Sequence, residues 1–261
     1  MNLLELFSGT HSIGKVAAQK GYKVYSLDRD LGDKCPFDSG YKSYKHFKED
    51  IFKFDYKQFP KKYFKVITAS PVCLWWSNLR NTSIGRKLKG MDRPLTMEDI
   101  NNDIEKFGIP MVDKIFEIIE YLEPDYWWIE NPQTGKMKNY IGDFVPFYDV
   151  DYCQYSDFGY KKTTRFWTNI EGFIPKRCDG ENCINLIGDT KKQRKHKNNL
   201  SSSKTIILDG KYININTKEL RIKYKDFPNV IKRDKITKLT NKYERYRIPF
   251  KLIKELLECI E

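Results

Sequence analysis

Two segments of the chain carry side chains that can act on a substrate. Residues 70–73 end in Cys73, and Glu130 closes an aromatic, apolar stretch at residues 126–130. A cysteine thiolate is a strong nucleophile. A carboxyl group that leaves an apolar strand is suited to proton transfer, because desolvation favours its protonated form. A lone cysteine is most often a small buried residue, so Cys73 taken alone leaves both interpretations open.

A glycine turn and two aspartates form a candidate nucleotide-binding site. The turn Phe7-Ser8-Gly9-Thr10 follows an apolar run and precedes a helical stretch, so its amide groups open a helix. Asp28 and Asp50 follow later strand-like segments, where a carboxylate can accept from ribose hydroxyls or from an adenine amine. Glycine is also common in such turns for steric reasons, and surface aspartates more often cap backbone groups. The pattern indicates a nucleotide-like ligand only together with other motifs.

Alternating strands and helices place these residues at one edge of a predicted sheet. Apolar runs predict strands at residues 2–7, 23–28, 65–69 and 126–130. Residues 111–122 put apolar side chains on one helical face, and Pro124 ends that helix. Strands that alternate with helices predict a parallel α/β sheet, whose ligands gather at the carboxyl ends of its strands.

The composition excludes several classes of protein. Apolar residues make up 40% of the 261 residues, which is enough for a packed core and excludes disorder of the whole chain. Six cysteines are too few for a disulfide framework in a chain of this length. No apolar run approaches the roughly 18 residues of a membrane span, and the N-terminus lacks a secretory signal pattern. We therefore expect an intracellular protein without a membrane partner, cytoplasmic, or nuclear or viral if the source is not bacterial.

The net charge of +12 is concentrated in the last third of the chain. Residues 171–261 hold 22 basic and 12 acidic side chains, whereas residues 1–170 hold 25 and 23. Clustered lysine and arginine side chains favour a polyanion partner, because binding to a phosphate backbone releases counterions. A solvated, lysine-rich surface explains the charge equally well when the charge is taken alone.

An ordered set of motifs resembles the C5-cytosine-specific DNA methyltransferase family, and the resemblance reaches both ends of the chain. In chain order, the matching segments are Phe7-Ser8-Gly9, Asp28, Asp50-Ile51, Pro71-Val72-Cys73, Glu130-Asn131, Asp157-Phe158-Gly159 leading to Arg165, and Tyr246-Arg247-Ile248-Pro249. The resemblance implies a fold of the α/β class, a Rossmann-like sheet of the kind found in methyltransferases that use S-adenosyl-L-methionine (AdoMet). A small, basic second domain would accompany the sheet.

The same resemblance implies a DNA (cytosine-5) methyltransferase that acts on a cytosine flipped out of double-stranded DNA. Cys73 would add to C6 of the base, Glu130 would hold N3 and the exocyclic amine, and Arg165 would contact the base carbonyl. C5 would then take the methyl group of AdoMet, and loss of the C5 proton would expel the thiolate. The enzyme is expected to act as a monomer, in DNA methylation of the kind used in restriction–modification.

The cofactor site implied by the resemblance lies at strand ends in the first part of the chain. AdoMet would lie over Phe7, with its ribose near Asp28 and its adenine near Asp50. The full set of implied cofactor-binding residues is Phe7, Ser8, Gly9, Thr10, Asp28, Asp50 and Pro71.

The chain departs from the family pattern at several positions. Val72 replaces the usual second proline, and Pro132 replaces a valine. His11 and Ser12 stand where the family usually has glycines. Residues 161–165 keep only the last arginine of the family's Gln-x-Arg-x-Arg motif. Two alternatives stay open: an RNA (tRNA) cytosine-5 methyltransferase, since the same fold and nucleophile can act on a tRNA, and a catalytically silent nucleic-acid-binding relative, which the altered residues 161–165 favour.

The resemblance also predicts how the chain is divided. Residues 1–170 plus 240–261 would form the AdoMet-binding catalytic domain, and residues 171–239 a small target-recognition domain. Pro249 opens a terminal helix with an apolar face. Such a face needs a partner, and the α/β core is the expected one.

Two further features have alternative interpretations. Loop residues 74–93 are expected to close over the DNA, and Trp75 or Trp76 either supports the flipped base or packs in the core. Cys178 and Cys183, with His196 downstream and Cys153 as a further ligand, are residue types that bind zinc. Because the sequence does not fix the fourth ligand, the predicted site includes no metal, and zinc stays an open alternative.

Overall fold

Seven strands form one sheet, and their order brings the candidate residues together. The strands are β1 (Asn2–Leu6), β2 (Lys23–Leu27), β3 (Lys45–Phe47), β4 (Val66–Ala69), β5 (Tyr126–Pro132), β6 (Phe147–Asp151) and β7 (Thr163–Thr168). Their order across the sheet is β3-β2-β1-β4-β5-β7-β6. The strand order reverses at β1, because β2 lies on one side of it and β4 on the other. Ligands of open α/β sheets bind at the carboxyl ends of the strands beside such a point.

The sheet confirms the predicted α/β fold class and the four predicted strands, with small shifts of their ends. β1 pairs in parallel with β2 and with β4, and β4 pairs in parallel with β5. One expectation was wrong, because the sheet is not wholly parallel. β7 runs antiparallel to β5. It follows its neighbour β6 after the short connection 152–162, whereas a parallel crossover needs a dozen residues or more.

Six α-helices lie among the described residues. They are α1 (Ser12–Gln19), α2 (Met97–Asp103), α3 (Ile109–Leu122), α4 (Met137–Ile141), α5 (Lys242–Tyr246) and α6 (Phe250–Glu258). A single π-helical turn, Ile104–Gly108, joins α2 to α3. Each of these helices is too short or too polar to span a bilayer.

The long helix α3 covers the sheet with the face that the sequence predicted. It begins two residues before the predicted start, with Pro110 in its first turn, and ends at Glu123 in a left-handed conformation. Ile115 and Leu122 are buried, whereas Met111 is half-buried and Val112 takes its place in the core. Proline fits the first turn because the amide that it lacks has no partner there.

The terminal helix α6 packs on α1, which confirms the predicted partner surface. Pro249 stands immediately before the helix, and Ile248 N donates to Ser12 Oγ at 3.2 Å. The buried face consists of Leu252, Ile253, Leu256, Leu257 and, just beyond the helix, Ile260. The last segment of the chain therefore returns to the first residue of α1, just past the turn at residues 7–10.

The computed structural model of the chain consists of two compact units. The large unit comprises Met1–Val150, Thr163–Pro175 and Arg247–Glu261, and the small unit comprises Asp151–Lys162 and Lys176–Tyr246. The structure describes residues 1–30, 32, 34–35, 38, 40–188, 194–197, 205–208, 211–214, 230–231 and 242–260. The division differs from the predicted boundary at residue 170 because residues 151–162 enter the small unit before β7 returns to the main sheet. The recognition role of residues 171–239 stays a prediction.

The described part of the small unit contains five short antiparallel strands. β8 (Leu186–Ile187) pairs with β9 (Lys195–His196). β10 (Thr205–Leu208) lies between β11 (Lys211–Asn214) and β12 (Val230–Ile231). The sequence predicted β-like pieces at 205–208 and 212–215, and strands lie there with a shift of one residue in the second.

Candidate active site at the strand ends of the large unit

Cys73 lies in the turn that follows β4. Ser70 N donates to Leu6 O at 3.2 Å, so the turn leaves β4 beside the end of β1. Pro71 is buried, Val72 is exposed and Cys73 is half-buried. The thiol therefore belongs to a partly open turn and not to the closed core, which favours the interpretation of Cys73 as a reactive residue.

β5 carries the predicted pair Glu130-Asn131 beside that turn. The parallel register sets Ala69, the last residue of β4, next to Ile129, so that Glu130 lies just past the end of β4. The exposed fractions of Glu130 and Asn131 are 6% and 1%. Asn131 Nδ2 donates to Pro71 O at 3.0 Å. This buried hydrogen bond ties the strand that carries the carboxylate to the turn that carries the thiol.

A small cavity opens beside Cys73. Its volume is about 30 Å³, which is room for one or two water molecules. The lining residues are Cys73, Ser77, Asn131, Pro132, Thr134 and Gly135. Glu130, which precedes Asn131 on β5 just past the end of β4, is not among them. The structure therefore places Cys73 and Asn131 at one cavity. Glu130 is the neighbour of Asn131 on β5.

The loop after β5 closes this cavity on the side of Trp76. Lys136 N donates to Trp76 O at 2.7 Å, and Asn78 Nδ2 donates to Thr134 O at 2.6 Å. A Cβ added at Gly135 would lie 3.2 Å from the carbonyl oxygens of both Pro132 and Trp76. Glycine therefore allows the loop after β5 and the loop after Cys73 to approach closely.

Arg165 lies on β7, opposite Asn131. Its Nε and Nη2 atoms donate to the two carboxylate oxygens of Asp149 at 2.8 and 2.9 Å. The guanidinium carbon also lies 3.5 Å from the ring centroid of Phe147. Arg165 lines a second cavity, together with Lys138, Asn139, Gly142 and Asp143, and not the cavity of Cys73. The guanidinium is held by side chains of β6, and its predicted contact with a base carbonyl stays a prediction.

The cofactor turn after β1 has an unusual backbone. Phe7, Gly9 and His11 have φ values of 57°, 49° and 53°, in the left-handed region that residues other than glycine seldom adopt. Such a conformation persists only where its surroundings fix it, and it is frequent at ligand sites. Gly9 N donates to Asp28 Oδ2 at 2.9 Å, and Ser8 N donates to Leu27 O at 3.0 Å. The turn is thereby fixed to the end of β2.

Buried polar side chains support this turn from behind. Glu5 and His11 are both buried, and Glu5 Oε1 accepts from Gly14 N at 3.1 Å. A Cβ added at Gly14 would lie 2.5 Å from Glu5 Oε2, so a larger residue there would require the buried Glu5 side chain to shift. His11 Nε2 lies 2.7 Å from Gly32 O, and Nδ1 lies 3.6 Å from Glu5 Oε2. Burial lowers the pKa of His11, but the hydrogen bond and charge of Glu5 outweigh it, so that the pKa is raised.

Asp28 and Asp50 lie near the carboxyl ends of the neighbouring strands β2 and β3. Asp28 N donates to Phe47 O at 3.1 Å, which joins the two strand ends. Asp50 Oδ1 accepts from Phe52 N at 3.1 Å, and Arg29 Nη1 lies 3.5 Å from Asp50 Oδ2. Both aspartates therefore hold backbone groups in place at the edge where the cofactor is expected.

The two tryptophans after Cys73 pack against other parts of the large unit. Trp76 is buried in the core and stacks on Tyr140, with ring centroids 5.9 Å apart. Trp75 is half-buried and stacks on Phe107 at 4.8 Å. The packing alternative is therefore confirmed for Trp76, and both rings anchor the start of loop 74–93.

Comparison with known proteins decides the family. No family model matches the chain. Over 189 residues the chain is 43% identical to a protein of Frog virus 3 (isolate Goorha) whose name is "Probable DNA (cytosine-5)-methyltransferase". That match covers 71% of this chain and 79% of the viral protein. The chain belongs to the DNA (cytosine-5)-methyltransferase family. The predicted enzyme class and the predicted cofactor, AdoMet, are thereby confirmed.

Solved methyltransferase structures match this family member over part of their length. The Dnmt2 methyltransferase of S. pombe is 14% identical, with a TM-score of 0.40, over 67% of this chain and 52% of that chain. The methyltransferase EhMeth of Entamoeba histolytica is 14% identical, with a TM-score of 0.44, over 68% of this chain and 55% of that chain. This chain therefore spans about half the length of these two structures.

The residues of this methyltransferase fit a bound AdoMet. Ser8 Oγ and Ser70 Oγ, at the ends of β1 and β4, are buried and have no hydrogen-bond partner in the described part of the protein. Buried hydroxyl groups normally have partners, so these two suit polar groups of a ligand. Asp28 accepts backbone hydrogen bonds from Gly9 and Asp30, which fixes its carboxylate at the edge of the sheet where ribose hydroxyls are expected.

Sequence reasoning missed some residues that shape the site. Asn131 was recognised as part of a motif, but its hydrogen bond to Pro71 O had no signal beyond its place after Glu130. Asp149 binds the guanidinium of Arg165, and nothing in its local sequence marks it. Gly135 follows a strand end in a polar loop, a position where glycine often marks a close backbone approach.

Proposed function

We propose that this protein methylates C5 of a cytosine in double-stranded DNA, as a monomer, through a covalent bond between Cys73 and C6 of the base. The observation that carries the proposal is the hydrogen bond of 3.0 Å between Asn131 Nδ2 and Pro71 O. It fixes the nucleophile turn to the strand that carries Glu130. A thiol and a carboxylate on adjoining strand ends are the pair that this addition requires.

The side chains of this site would share the chemistry as follows. The thiolate of Cys73 forms a bond to C6, and the electron pair of the C5–C6 double bond moves toward C5 and the ring. Glu130 donates a hydrogen bond at N3 and accepts one from the exocyclic amine, which stabilises the charge that builds up on the ring. AdoMet supplies an electrophilic methyl group when it is bound. A base takes the C5 proton afterwards, and the C6–S bond breaks to restore the ring and the thiolate.

The carbonyl oxygen of Asn131 supports a polar ligand in the Cys73 cavity. Asn131 Oδ1 is buried and has no partner among the described protein atoms, whereas Nδ2 of the same amide donates to Pro71 O. An unpaired buried acceptor is costly unless a ligand supplies a donor. An exocyclic amine of a flipped base is one donor of the required kind.

The cofactor would occupy the edge formed by β1, β2 and β3. Backbone groups of Ser8, Gly9 and Thr10 would face its polar end, and Phe7 would lie beneath it. Asp28 and Asp50 would take the ribose and the adenine. Pro71, at the end of β4, would lie between this edge and Cys73, so that the methyl group points toward the nucleophile turn.

Loop 74–93 would have to move for a base to enter. The cavity beside Cys73 has room for only one or two water molecules, so a pyrimidine ring does not fit in it. Leu74 and Leu79 are exposed on this loop, and they would be covered if the loop closed over DNA. Loop closure of this kind excludes water from the reacting atoms.

Two regions beyond the thiol would contact the nucleic acid. Nη1 of Arg165 lies 3.9 Å from the exposed Asp143 and is the nitrogen that would contact the base carbonyl. The small unit, with the predicted reader at residues 171–239, would bind the duplex through its excess of basic side chains. A reader of this size touches few base edges, so we expect a short target sequence.

Methyl transfer with radiolabelled AdoMet tests this function. We expect wild-type protein to place the label on 5-methylcytosine in unmethylated duplex DNA, and Cys73→Ser to place none. Cys259→Ser is the matched control, because it changes the same atom at an exposed position outside the site and should retain activity.

Each other outcome rejects a stated part of the proposal. Transfer to tRNA but not to duplex DNA would identify the RNA alternative. Label on adenine or on the cytosine amine would reject the mechanism. Binding of duplex DNA without any transfer would identify a catalytically silent relative.

A further inference from the structure

Four metal-binding side chains converge in the small unit, apart from the methyl-transfer site. Cys153 lies in the short turn after β6, Cys178 and Cys183 bracket a tight loop, and His196 lies on β9. Their three Sγ atoms and one imidazole nitrogen all lie within 4.8 Å of one another. The sequence left this set open because it could not show that Cys153 joins the other three.

The distances suit one tetrahedral zinc ion. Zn–S bonds of about 2.3 Å and Zn–N bonds of about 2.0 Å, at tetrahedral angles, separate a sulfur and a nitrogen ligand by about 3.6 Å and two sulfurs by about 3.8 Å. Cys178 Sγ lies 3.6 Å from His196 Nε2. The other ligand atoms would reach this geometry with shifts of an ångström or less, since none is more than 4.8 Å from another.

The backbone around the first two ligands is built to hold them. Asp151, which is fully buried, accepts from Cys178 N at 2.8 Å through Oδ2. Asp151 N donates to Lys176 O at 3.1 Å, so both sides of this residue hold the segment that leads to Cys178. Cys153 follows Asp151 by two residues, and the same strand end thus positions two of the four ligands.

The loop between Cys178 and Cys183 turns on polar side chains and glycine. Asp179 Oδ1 accepts from Glu181 N at 2.8 Å and from Asn182 N at 2.9 Å, and Gly180 has a φ of 78°. This side-chain-capped turn returns the chain within five residues. Tight turns that present two cysteines are the usual frame of structural zinc sites.

The last ligand is delivered by a short hairpin. β8 pairs with β9 so that Leu186 lies opposite His196, and Leu186 N donates to Cys183 O at 3.0 Å. Asn185, which is buried, donates from Nδ2 to Cys153 O at 2.8 Å and to Ser156 O at 2.7 Å. The chain between the third and fourth ligands is therefore tied to the segment of the first.

We propose that the small unit binds one zinc ion through Cys153, Cys178, Cys183 and His196. All four positions are filled by protein, so the site is structural and has no open position for a substrate. Cys153 and Cys183 are only 2% and 8% exposed, and all three cysteines are free. The ion would join residues 151–162 to residues 176–197, two segments that the return of β7 to the main sheet separates along the chain.

A structural metal would also contribute to the stability of this unit. Among the side chains that the structure describes there, the buried apolar residues other than cysteine are Tyr152, Tyr155 and Tyr160. The described apolar burial around the ligands is therefore small, and small units of this kind are commonly stabilised by metals or disulfides. Because all three cysteines are free, a metal and not a disulfide would supply this stabilisation.

Metal analysis of the purified, reduced full-length protein tests the site. We expect about one zinc ion per chain after dialysis against metal-free buffer, and loss of most of that zinc in Cys178→Ser and in His196→Ala. Cys259→Ser is the matched control and should keep the full amount. Wild-type protein that holds no zinc and takes up none when zinc is added would overturn the proposal, as would Cys178→Ser with unchanged zinc content.

A second readout uses wild-type protein only, in case the variants do not fold. Replacement of zinc by cobalt should give the visible absorption of tetrahedral Co²⁺ and a thiolate-to-metal charge-transfer band. Six-coordinate cobalt without thiolate ligands would contradict the assignment. Neither measurement depends on methyl transfer, so the zinc site and the proposed function can fail separately.

Discussion

The two sites of this protein are held in place by different forces. In the large unit, Cys73 and the Glu130-Asn131 pair extend from strand ends that lie on an apolar core of buried side chains such as Ile67, Ile129 and Trp167. In the small unit, the four side chains of the proposed zinc site are held by polar contacts, such as the hydrogen bonds of Asp151 and Asn185 to the backbone of Cys178 and Cys153. The first site therefore lies on a packed apolar core, whereas the second site is held by polar contacts and would be completed by a bound metal ion.

Replacement of Cys73 by serine should have the largest effect and should leave the fold intact. Because Cys73 forms the covalent bond to the base, we expect methyl transfer to fall by more than about a thousandfold. The side chain lies in a half-open turn, so its replacement removes no core packing. The unfolding transition measured by circular dichroism should not move. A large fall in stability would show that Cys73 belongs to the core and that the two sites differ less than proposed.

Replacement of Glu130 by glutamine should come next. Loss of one preorganised hydrogen-bonding partner of the transition state lowers kcat by about a hundredfold to a thousandfold. Single-turnover rates with saturating DNA measure this step, and Glu120→Gln, an exposed substitution on α3, serves as the control. Equal rates for Glu130→Gln and wild type would remove Glu130 from the mechanism.

Substitution of Asp151 by asparagine tests the small unit in the same way. This residue orients Cys178 through its backbone amide, and loss of such an outer partner typically weakens metal binding by about tenfold to a hundredfold. Competition with a zinc chelator measures the change, with the exposed Asp143→Asn as a control in the large unit. Unchanged zinc affinity would show that Asp151 has no part in positioning the ligands.

The hydrogen bond between Asn131 and Pro71 should have a smaller effect on stability than on activity. Asn131→Ala leaves a buried carbonyl without a donor, at a cost of about 1–3 kcal/mol. Asn2→Ala is a matched control, because Asn2 Nδ2 donates to Tyr63 O at the same 3.0 Å, away from the carboxyl ends of the strands. We expect similar losses in urea unfolding for both variants, and slower methyl transfer for Asn131→Ala alone. Equal activity of both variants would contradict the coupling.

The smallest expected effect is a dependence of stability on pH that comes from His11. Its pKa is raised in the folded protein by Glu5 and the Gly32 carbonyl, against the effect of burial. The stabilisation is therefore fully present below the unfolded pKa of about 6.5 and is lost as pH rises through the folded pKa. Unfolding free energies at about pH 6 and pH 8 should differ more for wild type than for His11→Gln. Equal differences would exclude this ion pair.

The sequence predicted the elements that obey local rules. Strands β1, β2, β4 and β5, the apolar face of α3, and the terminal helix after Pro249 follow from periodicity and from proline positions. The motif order also predicted that Cys73 and Glu130 lie at neighbouring strand ends. A three-residue strand such as β3 is too short for periodicity, and the antiparallel direction of β7 depends on how the connection from β6 returns.

Features that depend on distant segments could not be predicted from the sequence. Cys153, which completes the proposed zinc site, lies 25 residues before Cys178, and only the folded chain brings them together. Asp149 on β6 accepts a hydrogen bond from Arg165 on the neighbouring strand β7. The contact between Gly14 and Glu5 explains why glycine is needed within a helix, where its flexibility would otherwise be a cost.

Trapping of the base on the enzyme tests the central claim most directly. A duplex that carries 5-fluorocytosine at the target should accept the attack of Cys73 and the methyl group, but fluorine cannot leave C5 as the proton does. We predict a covalent protein–DNA complex that survives denaturation, forms only with AdoMet, and maps by mass spectrometry to the peptide that contains Cys73. Release of unattached DNA under conditions in which 5-methylcytosine is formed on the normal duplex, or attachment through another residue, would contradict the account.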